Sequence, residues 1–147
     1  MAERIDPAAL VPHQGAMCLW QQVVGHDAIH VRLRTVSHRD PANPLRSDGR
    51  LRALHLCEYG AQAMAVHGGL LARAAGTPLR AGRLVALREV SLHVARIDQL
   101  PGELEGEAQL LAHGADSQQY AFRIVHAGTL LAEGRAAVML GDKLTRL

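Results

Sequence analysis

Three polar residues that could carry out acid–base chemistry, His55, Glu58 and Gln62, follow one another at spacings of three and four positions in an otherwise apolar segment. On an α-helix these spacings place all three side chains on one face. A carboxylate flanked by Cys57 and Ala61 is poorly solvated, which suits a general acid or base. Glu58 is therefore a candidate catalytic residue. The alternative is that Glu58 only hydrogen-bonds a neighbouring strand or lies at an exposed helix edge, and the spacing leaves both open.

Other kinds of site are less well supported by the sequence. His55 and Glu58 have the spacing of metal-binding pairs in helical bundles, but such sites need further helices and only one long helix is predicted, so no metal is expected. Cys57, in a helix interior, is more typical of an inert small hydrophobe than of a nucleophile. Neither it nor Cys18 lies in a CxxC or Cys/His cluster, which argues against a disulfide framework or a zinc site. Without a phosphate-binding loop or a dinucleotide motif, no cofactor is expected.

The element that carries the polar residues is a long helix, predicted over residues 51–75. This segment has no proline and many alanines and leucines, and Gly76-Thr77-Pro78 ends it. Its apolar residues lie nearly all round the axis, so the helix must be buried. Gly60, Gly68 and Gly69 each cost about 1 kcal/mol relative to alanine, which is acceptable where another element approaches closely.

Strand patterns lie on both sides of this helix. Before it, apolar and polar residues alternate from Ile29 to Thr35, as in a strand with one buried face, and a loop follows at residues 40–49. After it, four antiparallel strands are predicted, at residues 83–97, 103–113, 119–126 and 129–140. The two-residue separator Ala127-Gly128 predicts a tight hairpin. The result is an α+β fold with one helix against one sheet, whose open edges favour a homodimer.

Length and composition limit the class of protein. The 147 residues fit one domain, and a content of 48% hydrophobic but only 3% aromatic residues implies an aliphatic core. The formal charge of +2 has no block of like charges, so a nucleic-acid partner is not expected, although a mild basic bias could help an acidic carrier protein to dock. The N-terminus lacks a signal-like apolar region and no run is long enough to enter a membrane, so we expect a cytoplasmic protein.

Two motifs resemble a known family. The segment from Leu10 to Met17, LVPHQGAM, resembles the "LPHRxPM/FLL" opening of hotdog-fold β-hydroxyacyl-carrier-protein dehydratases. The segment from Glu58 to Ala63, EYGAQA, resembles the "E-x-x-A-Q" start of their central helix. The motifs occur in the right order, and with the strands that follow, the resemblance covers residues 8–141. It is strongest to the dehydratase-like group associated with aryl-polyene and related polyketide-type lipid assembly.

This resemblance implies a hotdog fold, one long central helix wrapped by an antiparallel sheet of about five to six strands, in a homodimer or dimer-based oligomer. It implies dehydration of a 3-hydroxyacyl thioester, on acyl carrier protein or coenzyme A, in fatty-acid or polyketide-like synthesis. Glu58 takes the place of the catalytic carboxylate, whose histidine partner comes from the preceding loop across the dimer interface.

The histidine position of the family falls at Asn43 in this sequence, so His38 or His55 is the expected substitute. The resemblance further implies that His13 shapes the site and that the backbone amides near Leu54 and Leu56 stabilise an enolate; Gln62 and Asn43 complete the expected substrate-binding set. Two alternatives remain open on the sequence: a thioesterase, and a non-catalytic thioester-binding subunit.

Overall fold

The computed structural model of the protein describes residues 5–11 and 15–143. One α-helix lies against a sheet of six antiparallel strands, which confirms the predicted α+β hotdog architecture. The elements are β1 (Gln22–His26), β2 (His30–Thr35), α1 (Leu56–Ala75), β3 (Arg80–Leu92), β4 (Leu104–His113), β5 (Ser117–His126) and β6 (Thr129–Lys143). Across the sheet, neighbouring strands follow the order β1-β2-β4-β5-β6-β3.

The hairpin between β5 and β6 is the one predicted from the sequence. His126 pairs with Thr129 across a two-residue turn, and both turn residues have positive φ, 48° at Ala127 and 82° at Gly128. Two positive φ values in succession define the turn that matches the twist of the flanking strands. Because this signal is local, it is readable from the sequence.

The helix starts later than predicted, at Leu56 rather than Leu51. A 3-10 turn at Ala53–His55 precedes it, and the segment before that turn runs beside residues 95–98. Ile97 N donates to Leu51 O at 2.8 Å, and Ala53 N donates to Ala95 O at 3.1 Å. These backbone groups are bonded to a distant segment, so they cannot join the helical ladder.

The same pairing shortens β3 at its C-terminal end. This strand was predicted at residues 83–97, but it spans Arg80–Leu92, because residues 95–97 bond the segment before the helix instead of β6. The predicted helix stop is confirmed: Gly76 adopts φ 66°, and Thr77 N donates to Ala72 O at 3.0 Å.

Two of the three helix glycines permit close packing. A methyl group added at Gly60 would lie 2.5 Å from Phe122 Cδ1, and one at Gly69 would lie 2.9 Å from the carbonyl oxygen of Leu10. Gly68 has no such neighbour, since the nearest atom to its added methyl is Gln118 Oε1 at 3.9 Å. The expectation of close approach is therefore right for Gly60 and Gly69 and wrong for Gly68.

The helix covers only part of the sheet. It packs mainly against β2, β4 and β5, while β3 lies at the sheet edge with one long side unpaired. Five aliphatic side chains of β3 are exposed: Leu84, Val85, Leu87, Val90 and Leu92. Among the described residues, none of the helices combines the length and apolar character needed to cross a membrane.

Candidate active site

Glu58 lies in the first turn of α1 and is half-buried. The N-terminus of a helix carries a partial positive charge, which stabilises a carboxylate there. Its Oε1 atom accepts a hydrogen bond from Gln62 Nε2 at 3.5 Å, so the two polar residues that the spacing placed on one face are in contact. The contact is long, and it links the candidate catalytic group to a buried amide.

Gln62 is almost fully buried, with 1% of its surface exposed. Its Oε1 atom accepts from Leu19 N at 2.9 Å, and its Nε2 atom donates to Met17 O at 2.6 Å. The side chain thus anchors the segment that precedes β1 to the helix. The expectation that Gln62 binds substrate is not favoured by this geometry, because its carboxamide is occupied by protein atoms.

Asn43, at the position of the family histidine, is buried and fully hydrogen-bonded. Its Nδ2 atom donates to Ser37 O at 2.9 Å and to Tyr59 Oη at 3.2 Å, and its Oδ1 atom accepts from Leu45 N at 2.9 Å. With 4% of its surface exposed, Asn43 has both polar atoms of its amide bonded to protein groups. The substrate-binding role expected from the sequence stays a prediction, which this geometry does not favour.

Tyr59 joins this loop to the helix, a contact that the sequence did not reveal. Its hydroxyl shares a hydrogen bond of 2.8 Å with Ser37 Oγ, and its carbonyl oxygen accepts from Trp20 Nε1 at 2.8 Å. Burial raises the pKa of Tyr59, so the hydroxyl stays protonated. Tyr59 thereby holds two segments beside Glu58, and no spacing in the sequence signals this.

His38 is fully buried, with its Nε2 atom 3.0 Å from Leu100 O. A carbonyl only accepts, so Nε2 carries the proton; the buried Nδ1 atom has no hydrogen-bond partner among the described residues. Burial, the largest effect, lowers the pKa of His38, with smaller contributions from nearby cations. This enclosed position does not favour direct proton transfer to a substrate.

The residues at the start of the helix differ in exposure. Leu54 has 66% of its surface exposed, His55 is half-buried, and Leu56 is enclosed in the core. The amides of His55 and Leu56 donate to Arg52 O and Ala53 O inside the 3-10 turn, so these two amides do not provide the expected enolate site. His13 lies outside the described residues.

Two shallow depressions lie on the outer face of the sheet, with volumes of about 100 Å³ and 230 Å³. The first is lined by Arg32, Arg34 and Glu107 among others, the second by Glu89, Arg123 and Arg135 among others. Neither is lined by Glu58. Within residues 5–11 and 15–143, no three His, Cys, Asp or Glu side chains are grouped so that they could hold a metal ion.

In the described part of the chain, a single long helix against a six-stranded antiparallel sheet defines a hotdog fold, which solved dehydratase and thioesterase structures share. The chain belongs to the ApeP dehydratase family, whose profile matches residues 5–147. No curated protein is significantly similar to it.

Solved structures agree with this membership. The dehydratase heterocomplex ApeI:P from Xenorhabdus doucetiae has a TM-score of 0.86 and 25% identity, and the match covers 96% of this chain and 94% of that chain. A hypothetical thioesterase with coenzyme A from Streptococcus pneumoniae TIGR4 has a TM-score of 0.60 and 12% identity, with 83% and 86% covered. The smu.793 protein from Streptococcus mutans UA159, bound to acetyl CoA, has a TM-score of 0.59 and 11% identity, with 82% and 88% covered.

The predicted reaction class is thereby confirmed. The chain belongs to a dehydratase family, so it is a hydro-lyase, as the two motifs implied. The sequence identity to the thioesterase structure is so low that the match shows only a shared fold. It therefore does not favour thioester hydrolysis as the reaction.

Proposed function

We propose that Glu58 is the acid–base residue of this dehydratase, acting on a 3-hydroxyacyl chain held as a thioester. The observation that carries this proposal is the half-buried carboxylate in the first turn of α1, hydrogen-bonded by Gln62. No other carboxylate lies in the described part of α1, and the loop position of the family histidine is filled by a fully bonded asparagine.

The reaction removes a proton from the carbon next to the thioester carbonyl and a hydroxyl group from the next carbon. The electrons of the broken C–H bond form the new double bond, and the hydroxyl leaves as water after it gains a proton. Glu58 is proposed to carry out one of these two proton transfers. His55 is the proposed second group, because it is half-buried, precedes the helix and is not enclosed like His38.

A second subunit is proposed to complete the site. Strand β3 has one unpaired edge. Just beyond the end of β3, Arg96 pairs with Arg52, so the segment that carries Leu54 lies at the end of this edge. Exposed aliphatic side chains along this edge, together with Leu54, are typical of a surface covered by a partner. The occupant proposed is a second copy of the chain, which would form a homodimer. The similar ApeI:P protein is a heterocomplex, so pairing with a different subunit is the other outcome to test.

An acidic carrier protein is the proposed bearer of the thioester. Arg39, Arg50 and Arg52 are exposed in the loop before the helix, and Asp40 and Asp48 are the exposed acids of the same segment. This excess of positive charge beside His55 suits the acidic surface of a carrier and the phosphate of its prosthetic arm. Coenzyme A carries the same phosphate chemistry and is the alternative bearer of the thioester. We propose that the protein acts in the cytoplasm.

The test uses the purified full chain with 3-hydroxyacyl thioesters on carrier protein and on coenzyme A. Formation of the enoyl product is followed by absorbance, and release of free thiol reports hydrolysis. We expect Glu58→Gln to lose dehydration by at least about 100-fold, with the fold and subunit assembly unchanged. Glu107→Gln, on the outer face of the sheet, is the matched control and keeps wild-type turnover.

Each other outcome has a defined meaning. Wild-type turnover in Glu58→Gln would overturn the assignment of Glu58. Thiol release without enoyl product would show a thioesterase. If the wild type turns over nothing alone but gains activity with a second hotdog subunit, the chain acts in a heterocomplex, and Glu58→Gln is then tested in that complex.

A further inference from the structure

Gly68 lies in the interior of α1, where a glycine costs about 1 kcal/mol relative to alanine, and close packing does not account for it. A methyl group added there would have Gln118 Oε1, at 3.9 Å, as its nearest neighbour. We propose that the space beside Gly68 holds the far end of the acyl chain of the substrate, so that Gly68 sets the longest chain that the dehydratase accepts. This inference rests on the proposed function of Glu58.

The space beside Gly68 opens toward the β3 edge of the sheet. Gln118 in β5 pairs with Val138 in β6, and Val138 pairs with Leu84 in β3. Paired residues of neighbouring strands share a face, so these three side chains lie on the face of the sheet that meets the helix. Leu84 has 41% of its surface exposed. The row from Gly68 to Leu84 therefore ends in an aliphatic position that the helix leaves open.

An aliphatic strip, formed by Leu84, Leu87 and Leu92, continues along β3 on this face. Leu87 pairs with Ala136 and Leu92 pairs with Ala132, and both alanines are buried on the helix side of the sheet. The three leucines are themselves exposed. The strip is therefore a surface beside the helix that water covers in the single subunit.

The charged residues in this part of β3 lie on the opposite face. Arg88 pairs with Arg135, and Glu89 Oε2 is 3.5 Å from Arg135 Nε, beside the second depression on the outer face. The aliphatic strip is thus separated from these charges by the sheet. Such a surface fits a hydrocarbon chain, because burying it removes apolar area from water without desolvating a charge.

The strip begins near the candidate catalytic carboxylate. Residues 95–97, just after β3, bond the segment that leads into α1, so the Leu92 end of the strand lies near the start of the helix. Gly68 follows Glu58 by ten residues, roughly 15 Å along the helix axis, and both residues are half-buried. A chain whose thioester lies at Glu58 then extends from Leu92 toward Leu84 and ends in the space at Gly68.

This path is compatible with the second subunit proposed at the β3 edge. The unpaired backbone groups of an edge strand lie in the plane of the sheet, whereas side chains project out of that plane. A partner can therefore pair with the edge while the acyl chain lies on the helix side.

The experiment compares Gly68→Leu, Gly68→Ala and Ala74→Leu in the full chain. The substrates are 3-hydroxyacyl thioesters from butyryl to dodecanoyl, on the carrier and in the subunit assembly with which the wild type is active. Ala74→Leu is the matched control, because it adds the same side chain at an exposed position in the last turn of α1. Circular dichroism, thermal denaturation and subunit assembly are measured for every variant.

For Gly68→Leu we expect kcat/KM for the longest chain that the wild type accepts to fall at least about 10-fold, while the value for the shortest chain changes by no more than about threefold. Gly68→Ala should shift the preference in the same direction by a smaller factor, although its thermal stability rises with the better helix propensity of alanine. Ala74→Leu should keep the wild-type preference. Opposite changes in stability and in long-chain turnover distinguish a filled binding space from a damaged fold.

Three results overturn the inference. One is that the folded Gly68 variants keep the wild-type chain-length preference. Another is that they lose turnover of all chain lengths equally. The third is that Gly68→Leu loses subunit assembly in gel filtration while Gly68→Ala keeps the wild-type preference, which would show that a second copy fills the space. If Gly68→Leu does not fold, Gly68→Ala decides by the same comparison. Failure of the proposed function is distinguishable, because it appears as wild-type turnover in Glu58→Gln.

Discussion

Asn43 Nδ2 donates a hydrogen bond to Tyr59 Oη at 3.2 Å, which ties the loop before the helix to the residue that directly follows Glu58. Ser37 Oγ shares a second hydrogen bond with the same hydroxyl and donates to Leu19 O at 2.7 Å. The phenol therefore ties the helix to the loop, and Ser37 links both to the segment before β1. In the family that the motifs resemble, this loop supplies a histidine; here the corresponding position serves the packing of the helix.

Removing the phenol oxygen should destabilise the fold. Tyr59→Phe leaves the Asn43 amide with one fewer acceptor and the Ser37 hydroxyl with one fewer partner, in surroundings that exclude water. We expect the free energy of unfolding to fall by about 1–3 kcal/mol, measured by urea denaturation at fixed protein concentration. Gln21→Met is the control, because it removes an exposed hydrogen bond to Val36 N and should cost less than about 1 kcal/mol. Equal losses in the two variants would contradict the prediction.

Alanine substitutions at two glycines of one helix should change stability in opposite directions. A methyl group at Gly60 would overlap the Phe122 ring, which outweighs the better helix propensity of alanine, so Gly60→Ala should cost about 1–3 kcal/mol. Gly68 has open space, so Gly68→Ala should gain about 0.5–1 kcal/mol. Thermal denaturation of both variants, followed by circular dichroism, checks the pair. A stabilised Gly60→Ala would show that the ring moves aside without cost.

A charge on the free edge of β3 should prevent subunit assembly. Leu87→Glu puts a carboxylate on the proposed interface, where burial of an unpaired charge is unfavourable. Val24→Glu is the matched control, since Val24 lies in β1 at the opposite sheet edge with nearly the same exposure, 38% against 39% for Leu87. Light scattering coupled to gel filtration should find Leu87→Glu monomeric and Val24→Glu assembled like the wild type. Assembly that survives in Leu87→Glu would place the interface elsewhere.

Stability should decrease as the pH falls through the range in which histidine titrates, because His67 is buried. Its Nδ1 atom lies 2.8 Å from Tyr120 Oη and its Nε2 atom 3.0 Å from Asp27 O. Burial lowers the pKa of His67, despite the opposing effect of Asp27, and nearby His30 and His26 lower it further. In the unfolded chain the pKa of this histidine is about 6.5, so the unfolded chain binds a proton at a pH at which the folded chain does not.

The stabilising contribution of His67 is therefore present above about pH 6.5 and is lost as the pH falls below it, with a slope of at most about 1.4 kcal/mol per pH unit. Burial lowers the pKa of His38 as well, so it adds to the slope in the same direction. Urea denaturation between pH 8 and pH 5 measures the slope, which His67→Gln should reduce. The exposed His113, changed to Gln, should leave it unaltered; a slope that is the same in His67→Gln would exclude His67 as its source.

The sequence by itself determined the features that depend on neighbouring residues. The helix end at Gly76 and the hairpin at Ala127-Gly128 follow from backbone conformations that the residue types prefer locally. The alternation in β4 and β5 determined which side chains face the helix, and the four-residue spacing determined that Gln62 meets Glu58. The strand β1 was not predicted, because its short segment shows no clear buried face.

Only the tertiary structure decided what the polar residues at the site do. Asn43 meets Tyr59 across 16 positions, Gln62 meets Leu19 across 43, and His38 meets Leu100 across 62. The late start of α1 likewise depends on Leu51 pairing with Ile97. A buried polar atom must find a partner wherever the fold brings one within hydrogen-bond distance, and no local spacing specifies that partner. For this reason the sequence could predict Glu58 as the candidate catalytic residue, while the fold decided that Gln62 and Asn43 are held by protein atoms.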